Sequence, residues 1–254
     1  MILDQFRLDG RVALVTGAAQ GLGQGYAVAL AEAGADIVGL DRCTVDQTGD
    51  LVTARHRRFS QLCIDLNEAS VADLQEAVAF CVRAMGRLDI LVNNAGIIRR
   101  APAIEFGEKD WDDVLRINLK SVFFLSQAAA RVMAQQGGGK IINVASMLSF
   151  QGGIIVPSYT AAKSGVAGIT RALANEWAKH HINVNAIAPG YMATDNTAPL
   201  RADPARNQAI LDRIPAGRWG TPDDLKGIVV FLASTASDYM QGAIVPVDGG
   251  WLTR

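Results

Sequence analysis

The sequence predicts one α/β domain on a doubly wound, mostly parallel sheet of about seven strands, and three observations predict it. Short β-branched apolar runs alternate with longer segments of helical period along all 254 residues. The runs are apolar at successive positions, as strands covered on both faces must be. The first run ends in a glycine-rich turn that leads into a helical segment, which is how a βαβ unit begins. Right-handed crossovers then place helices on both sides of the sheet.

The elements follow in order. Val12–Thr16 is the first strand and Tyr26–Ala33, rich in alanine and leucine, the helix behind it. Ile37–Asp41 and Phe59–Ile64 are the next strands, and Val71–Met85 repeats its apolar residues at helical spacing. Ile90–Asn93 is a short strand that leads to one long helix, Trp111–Gln135. Gly137-Gly138-Gly139 is a loop before the strand Lys140–Ala145. Tyr159–Lys179, Asn183–Ala188, Asp223–Ala233 and Ala243–Val247 complete the alternation. Between Gly190 and Ile214 the apolar period weakens and Pro199 and Pro204 interrupt it. That stretch exceeds an ordinary connection and is expected to be a substrate lid within the single domain 1–254.

Composition narrows the function. Half the residues are hydrophobic and 19% are charged, enough for a large core. With a net charge of −1 and no basic run longer than Arg55–Arg58, which reads as a solvated helix end, nucleic acid is not an expected partner. Cys43, Cys63 and Cys81 stand apart, so neither a disulfide framework nor a metal site is expected. No stretch approaches the ~20 apolar residues that span a bilayer, and no leader pattern opens the chain, so a cytoplasmic protein is expected.

The turn after the first strand reads Thr16-Gly17-Ala18-Ala19-Gln20-Gly21-Leu22-Gly23. Glycines there let the backbone approach a pyrophosphate, and the helix that follows offers free N–H donors to it. The next strand ends at Asp41, eighteen residues after Gly23, where an acid can accept the ribose hydroxyls of NAD and repel the extra phosphate of NADP. Arg42 beside it can bind that phosphate, so NADP stays open. Asp65 follows the third strand, within reach of an adenine amino group.

Tyr159 and Lys163 share a helix face at i, i+4. A free tyrosine has a pKa of about 10, and bringing it near neutrality requires roughly 4 kcal/mol of preference for the phenolate. One ammonium about 5 Å away supplies roughly 3 kcal/mol at an effective dielectric near 20. A positively charged nicotinamide can supply the remainder. Ser146 lies just past the carboxyl end of a strand, Asn93-Asn94-Ala95-Gly96 ends the preceding one at the same edge, and Asn118 interrupts a helix where asparagine is a poor former.

These residues together resemble the short-chain dehydrogenase/reductase family, over Leu8 to Gly250. Thr16–Gly23 is similar to its TGxxxGxG turn, Asn93–Gly96 to its NNAG segment and Tyr159–Lys163 to its YxxxK. Ser146 and Asn118 match the other two members of its catalytic tetrad, and Pro189-Gly190 with Thr194 resembles the segment that holds the nicotinamide carboxamide. The resemblance implies cofactor contacts at Gly17, Gln20, Gly21, Leu22, Gly23, Asp41, Arg42, Asp65, Leu66, Asn93, Ala95, Gly96, Tyr159, Lys163, Pro189, Gly190, Met192 and Thr194. It also implies that Ser146 bonds the reacting oxygen and Tyr159 passes its proton. Lys163 would bind the nicotinamide ribose and depress the tyrosine pKa, and Asn118 would hold a water of the proton relay.

Within the family, Ile97–Arg100, Glu108–Asp113, Ala145–Gly153, Ala186–Thr194 and Val247–Leu252 are most similar to members that act on deoxy-sugar acids. The likeness implies NAD-dependent interconversion of a ketone and a secondary alcohol on a 3-deoxy or 2-deoxy sugar acid, in sugar-acid catabolism. It further implies a homotetramer packed through Trp111–Gln135 and Tyr159–Lys179. A sugar acid needs a partner for its carboxylate, and Arg99 or Arg100 is expected to supply it, with Gln151 adding a neutral contact. Two other readings stay open: reduction of a different carbonyl, such as a 3-oxoacyl thioester or a polyol ketone, and a non-catalytic nicotinamide sensor.

Overall fold

The computed structural model describes residues 1–254. Seven strands form one all-parallel sheet: β1 (Val12–Thr16), β2 (Asp36–Asp41), β3 (Phe59–Cys63), β4 (Ile90–Asn93), β5 (Gly139–Val144), β6 (Ile182–Pro189) and β7 (Ile244–Val247). They lie in the order β3-β2-β1-β4-β5-β6-β7, so the direction of winding reverses between β1 and β4. The single Rossmann-like domain predicted from the alternation is the observed one.

The two-sided burial has a direct cause in the pleat. Ala13 and Val15 of β1 join Ile37 in a cluster of 23 buried residues on one face. Their neighbours Val12 and Leu14 join Val38 and Leu40 in an equally large cluster on the other. The first face is covered by α1 (Gly21–Glu32), α2 (Asp46–Thr53) and α9 (Lys226–Ala233), which supply Tyr26, Leu30, Val52 and Val229. The second is covered by α3 (Val71–Met85), α5 (Ser121–Gln136) and α6 (Pro157–Trp177), which supply Leu74, Val78, Leu125, Met133 and Leu173. No helix is long and apolar enough to cross a membrane.

Four details depart from the sequence reading. First, α1 begins at Gly21, five residues before the predicted start, because contact between Gly23 and Gly17 overrides glycine's poor propensity. Second, α2 was not predicted. Its composition is polar, and Gly49 sits inside it because a side chain there would press on the Phe59 ring. Third, the predicted helix Trp111–Gln135 is three pieces: α4 (Glu108–Leu115), a π turn (Arg116–Lys120) and α5. Fourth, Arg55–Arg58, at the exposed end of α2, is not merely solvated. It lies beyond α2, where Arg55 pairs with Glu32, Arg57 bonds the Gly34 carbonyl and Arg58 pairs with Asp36. These arginines fasten the turn between α1 and β2.

The segment 190–214 is folded into a short 3-10 turn (Asp195–Thr197), α7 (Ala198–Ala202) and α8 (Pro204–Leu211). Pro199 and Pro204 occupy first-turn positions, where the missing N–H is harmless, so the prolines start helices here rather than break them. Asp203 caps α8 by accepting from Ala205 N and Arg206 N.

Candidate active site

The carboxyl ends of the strands open onto a cavity of about 580 Å³ at the switch between β1 and β4. It gathers Gly17, Gln20, Gly21 and Leu22 from the first turn, Asp41 and Arg42 after β2, and Asp65 and Leu66 after β3. Ala95, Gly96, Arg99, Ser146, Tyr159, Lys163, Pro189, Gly190, Met192 and Thr194 line its other walls.

The first turn is shaped for an anion. Gly17 and Gly21 have φ of +68° and +59°, a region other residues avoid. A side chain at Gly23 would collide with the Gly17 carbonyl, so Gly23 is off the cavity wall and sets the close approach of helix to strand. At Gly21 an added Cβ would meet only the Thr194 side chain, 3.8 Å away at its nearest atom. Gln20 caps α1 without a side-chain bond, which leaves amides of the first turn free. A pyrophosphate fits this cradle, with Gly21, Leu22 and the α1 terminus as its holders.

Two residues that sequence reasoning did not assign hold the cradle in place. Thr16 Oγ1 accepts from the amides of Asn94 and Ala95, both at 3.0 Å. Asn94 Nδ2 donates back to the carbonyls of Thr16 and Gly17, at 2.9 and 3.3 Å. The paired asparagines were the available signal. Asn93, read as a cofactor contact, is instead buried under the sheet edge and directed away from the cavity. It donates to Ser126 Oγ and Asn143 Oδ1, and Asn143 donates to Thr170 Oγ1. Alternation along β4 sends consecutive side chains to opposite faces, so only one of the pair could serve the turn.

Asn118 is fully buried in the π turn and is not on the cavity wall. Its side chain is already occupied: Oδ1 accepts from Ile97 N and Nδ2 donates to Ile97 O, each at 2.9 Å. It therefore fixes the loop after Gly96, and any water it holds must be held by its main chain, where a π turn shifts the helical hydrogen bonding.

Ser146 Oγ accepts from Leu148 N at 3.2 Å. Burial raises the Tyr159 pKa above its ordinary value, while hydrogen bonding to Ser146 and the charge of Arg100 pull it down. The expected depression by Lys163 is not seen. Burial pushes Lys163 itself down to about 8, and its ammonium donates to the Val144 carbonyl at 2.6 Å. The ammonium nitrogen lies 5.6 Å from the centre of the Tyr159 ring. Both groups stand on one cavity wall, and desolvation of the phenol outweighs the fields of the chain's own cations.

The two arginines after Gly96 diverge. Arg99 Nε is paired with Asp110 at 3.1 Å. Arg100 carries the charge felt by Tyr159, and its guanidinium reaches only a neutral acceptor, the Asn196 carbonyl in the segment 190–214. Gln151 is off the cavity wall, and its Oε1 accepts from Arg213 Nη2 at 3.1 Å.

The family model described as enoyl-(acyl carrier protein) reductase matches residues 17–252, nearly the whole chain. The chain belongs to the short-chain dehydrogenase/reductase family. Among curated members, the 2-dehydro-3-deoxy-D-gluconate 5-dehydrogenase of Dickeya dadantii is 64% identical over 257 residues, covering all of both chains. A solved structure from Agrobacterium tumefaciens, provisionally named a 2-deoxy-D-gluconate 3-dehydrogenase and carrying NADP, is 57% identical. It has a TM-score of 0.92 and covers 99% of this chain and 100% of its own. A gluconate 5-dehydrogenase from Burkholderia cenocepacia, in complex with NADP and tartrate, is 40% identical with a TM-score of 0.94 and full coverage of both chains. In this short-chain dehydrogenase/reductase the matched span includes the glycine cradle, Ser146, Tyr159 and Lys163.

Proposed function

We propose that the chain interconverts a ketone and a secondary alcohol at C5 of a 2-dehydro-3-deoxy sugar acid, using a nicotinamide dinucleotide. The observation that carries this reading is the meeting of Ser146, Tyr159 and Lys163 with the glycine cradle on one cavity. Full-length identity to 2-dehydro-3-deoxy-D-gluconate 5-dehydrogenases, among them the Escherichia coli enzyme at 63%, supports the substrate class. The nicotinamide supplies the hydride acceptor when bound. Tyr159 exchanges the hydroxyl proton, Ser146 orients the reacting oxygen, and Lys163 would hold the nicotinamide ribose. Asn118 positions the loop carrying Ile97; of the two arginines Arg99 lines the cavity, and Arg100, outside its wall, adds a positive charge that Tyr159 feels.

Asp41 favours NAD by the repulsion it offers a 2′-phosphate, and the unpaired Arg42 guanidinium makes NADP usable. Segment 190–214 acts as the lid, the chain assembles as a homotetramer through the α4–α5 and α6 faces, and it works in the cytoplasm. A panel of deoxy-sugar acids, acyl thioesters and polyols, assayed by nicotinamide absorbance with each cofactor, tests the reading. Turnover of thioesters or polyols in preference to the acids would overturn it, and cofactor binding without any turnover would point to a sensor.

A further inference from the structure

Arg99 lines the cavity, while Arg201 and Arg213 lie outside its wall in the stretch that follows Thr197, and their partners separate the three. Arg99 is neutralised by Asp110, and Arg201 donates to the Thr194 carbonyl within its own segment. Arg213, just beyond α8, is different. Its guanidinium carbon lies 3.9 Å from the centre of the Trp251 ring, and its one side-chain hydrogen bond goes to the neutral Gln151 oxygen. A guanidinium presents five N–H donors, so most of Arg213's are free.

This residue sits where the catalytic loop meets the lid. Gln151 follows Ser146 on the same short loop. Met147, next to Ser146, packs in one cluster with Ile210, Ile214 and Trp251, and Tyr191 stacks edge-on to Trp251 at 4.7 Å. Arg254 reinforces the corner by donating to the carbonyls of Asp212 and Arg213, which holds the Arg213 backbone in place. The Trp251 Nε1 donor is also buried without a partner. The corner thus holds guanidinium and indole donors without matching acceptors, on side chains already stacked in place.

Resting on the reading above, we infer that Arg213, steadied by Trp251 and Gln151, is the anchor for the substrate carboxylate. A sugar acid that reacts at C5 carries its carboxylate at the opposite end of the carbon chain. The cation whose field reaches Tyr159 is Arg100, which therefore serves the reacting end. Arg213 is an acid-free guanidinium away from that end, and it is tied to the loop that bears Ser146. Stacking on the indole removes part of the ordering cost of a long side chain before the ligand arrives, and a planar fork can grip a carboxylate through two parallel bonds.

The test compares a sugar acid with its neutral analogue lacking the carboxylate in wild type, Arg213→Met, Arg213→Lys and Arg100→Met. Methionine keeps the stem on Trp251 and deletes the charge. The expected result for Arg213→Met is a rise of roughly 10- to 100-fold in KM for the acid, with kcat much less affected and a far smaller change for the neutral analogue. Lysine should recover part of the loss because it restores charge without the fork. Binding of NAD followed by fluorescence reports that each variant is folded. Equal losses on acid and neutral substrates, or an acid-specific loss in Arg100→Met instead, would overturn the assignment. Failure of the wild type to turn over any sugar acid would sink the substrate reading itself, which separates the two failures.

Discussion

The amide of Ala19 donates to Asp41 Oδ2 at 3.0 Å, so the acid that ends β2 also fastens the glycine turn that follows β1. Its other oxygen accepts from Arg42 N at 2.8 Å. Asp41, proposed above to select the cofactor, is therefore also a strut of the cradle.

That dual position alters what its replacement should do. Asp41→Ala removes the repulsion of a 2′-phosphate and also loosens the turn, so affinity for NAD should fall while that for NADP falls less or rises. Hydrogen bonds to a charged group contribute roughly 1.5–3 kcal/mol, so the ratio of kcat/KM values should shift toward NADP by about tenfold or more. Steady-state kinetics with both cofactors decide it. A wild type that already prefers NADP would show that Arg42, not Asp41, governs the choice.

Tyr159→Phe deletes the proton path and leaves the packing. kcat should fall by roughly 10²–10⁴, the usual worth of a general acid–base, while the dissociation constant for NAD stays nearly unchanged. Near-native turnover would remove Tyr159 from the chemistry.

Lys163 gives a pH signature in stability. Its pKa drops from 10.5 in the open chain to about 8 in the fold, so between those values the unfolded state binds more protons. Stability contributed through this group is therefore lowest below pH 8 and rises as pH climbs toward 10.5. Lys163→Met abolishes that rise. Urea unfolding at several pH values between 7 and 10.5 should show the variant's advantage shrinking with pH, and a difference that is flat across the window would contradict the burial argument.

Hydrogen exchange tests the lid. Amides of residues 190–214 should exchange rapidly in the free protein and slow when NAD and a sugar acid are both present, because α7 and α8 are short and carry few buried side chains. Protection that is the same in both states would make the segment a fixed wall.

Much of this was legible in the chain, and the illegible parts have physical reasons. Strands buried on both faces announce themselves, which is why β1 and β4 were placed residue for residue. Tyr159 and Lys163 were readable because a helix fixes their spacing. The roles of Asn93 and Asn118 were not, because a motif lists neighbours without stating which face of a strand each occupies or what a π turn turns inward. The start of α1 at Gly21 escaped because its cause is a contact between two glycines, invisible to propensity. Arg213 escaped for a related reason: its distinction lies in partners some 40 and 60 residues away, Trp251 and Gln151.

The buried chain from Asn93 through Asn143 to Thr170 joins β4, β5 and α6, and α6 is the helix that carries Tyr159 and Lys163. Shifting that helix breaks the bond from Asn143 to the Thr170 hydroxyl inside a buried layer, so Tyr159 and Lys163 behave as one casting with the sheet. Arg100, Gln151 and Arg213 hang instead from loops outside that casting. On the proposed function, such a division would let an engineer retool what the protein grips without recutting the part that moves the hydride, and it directs a search for new substrates to the corner around Trp251.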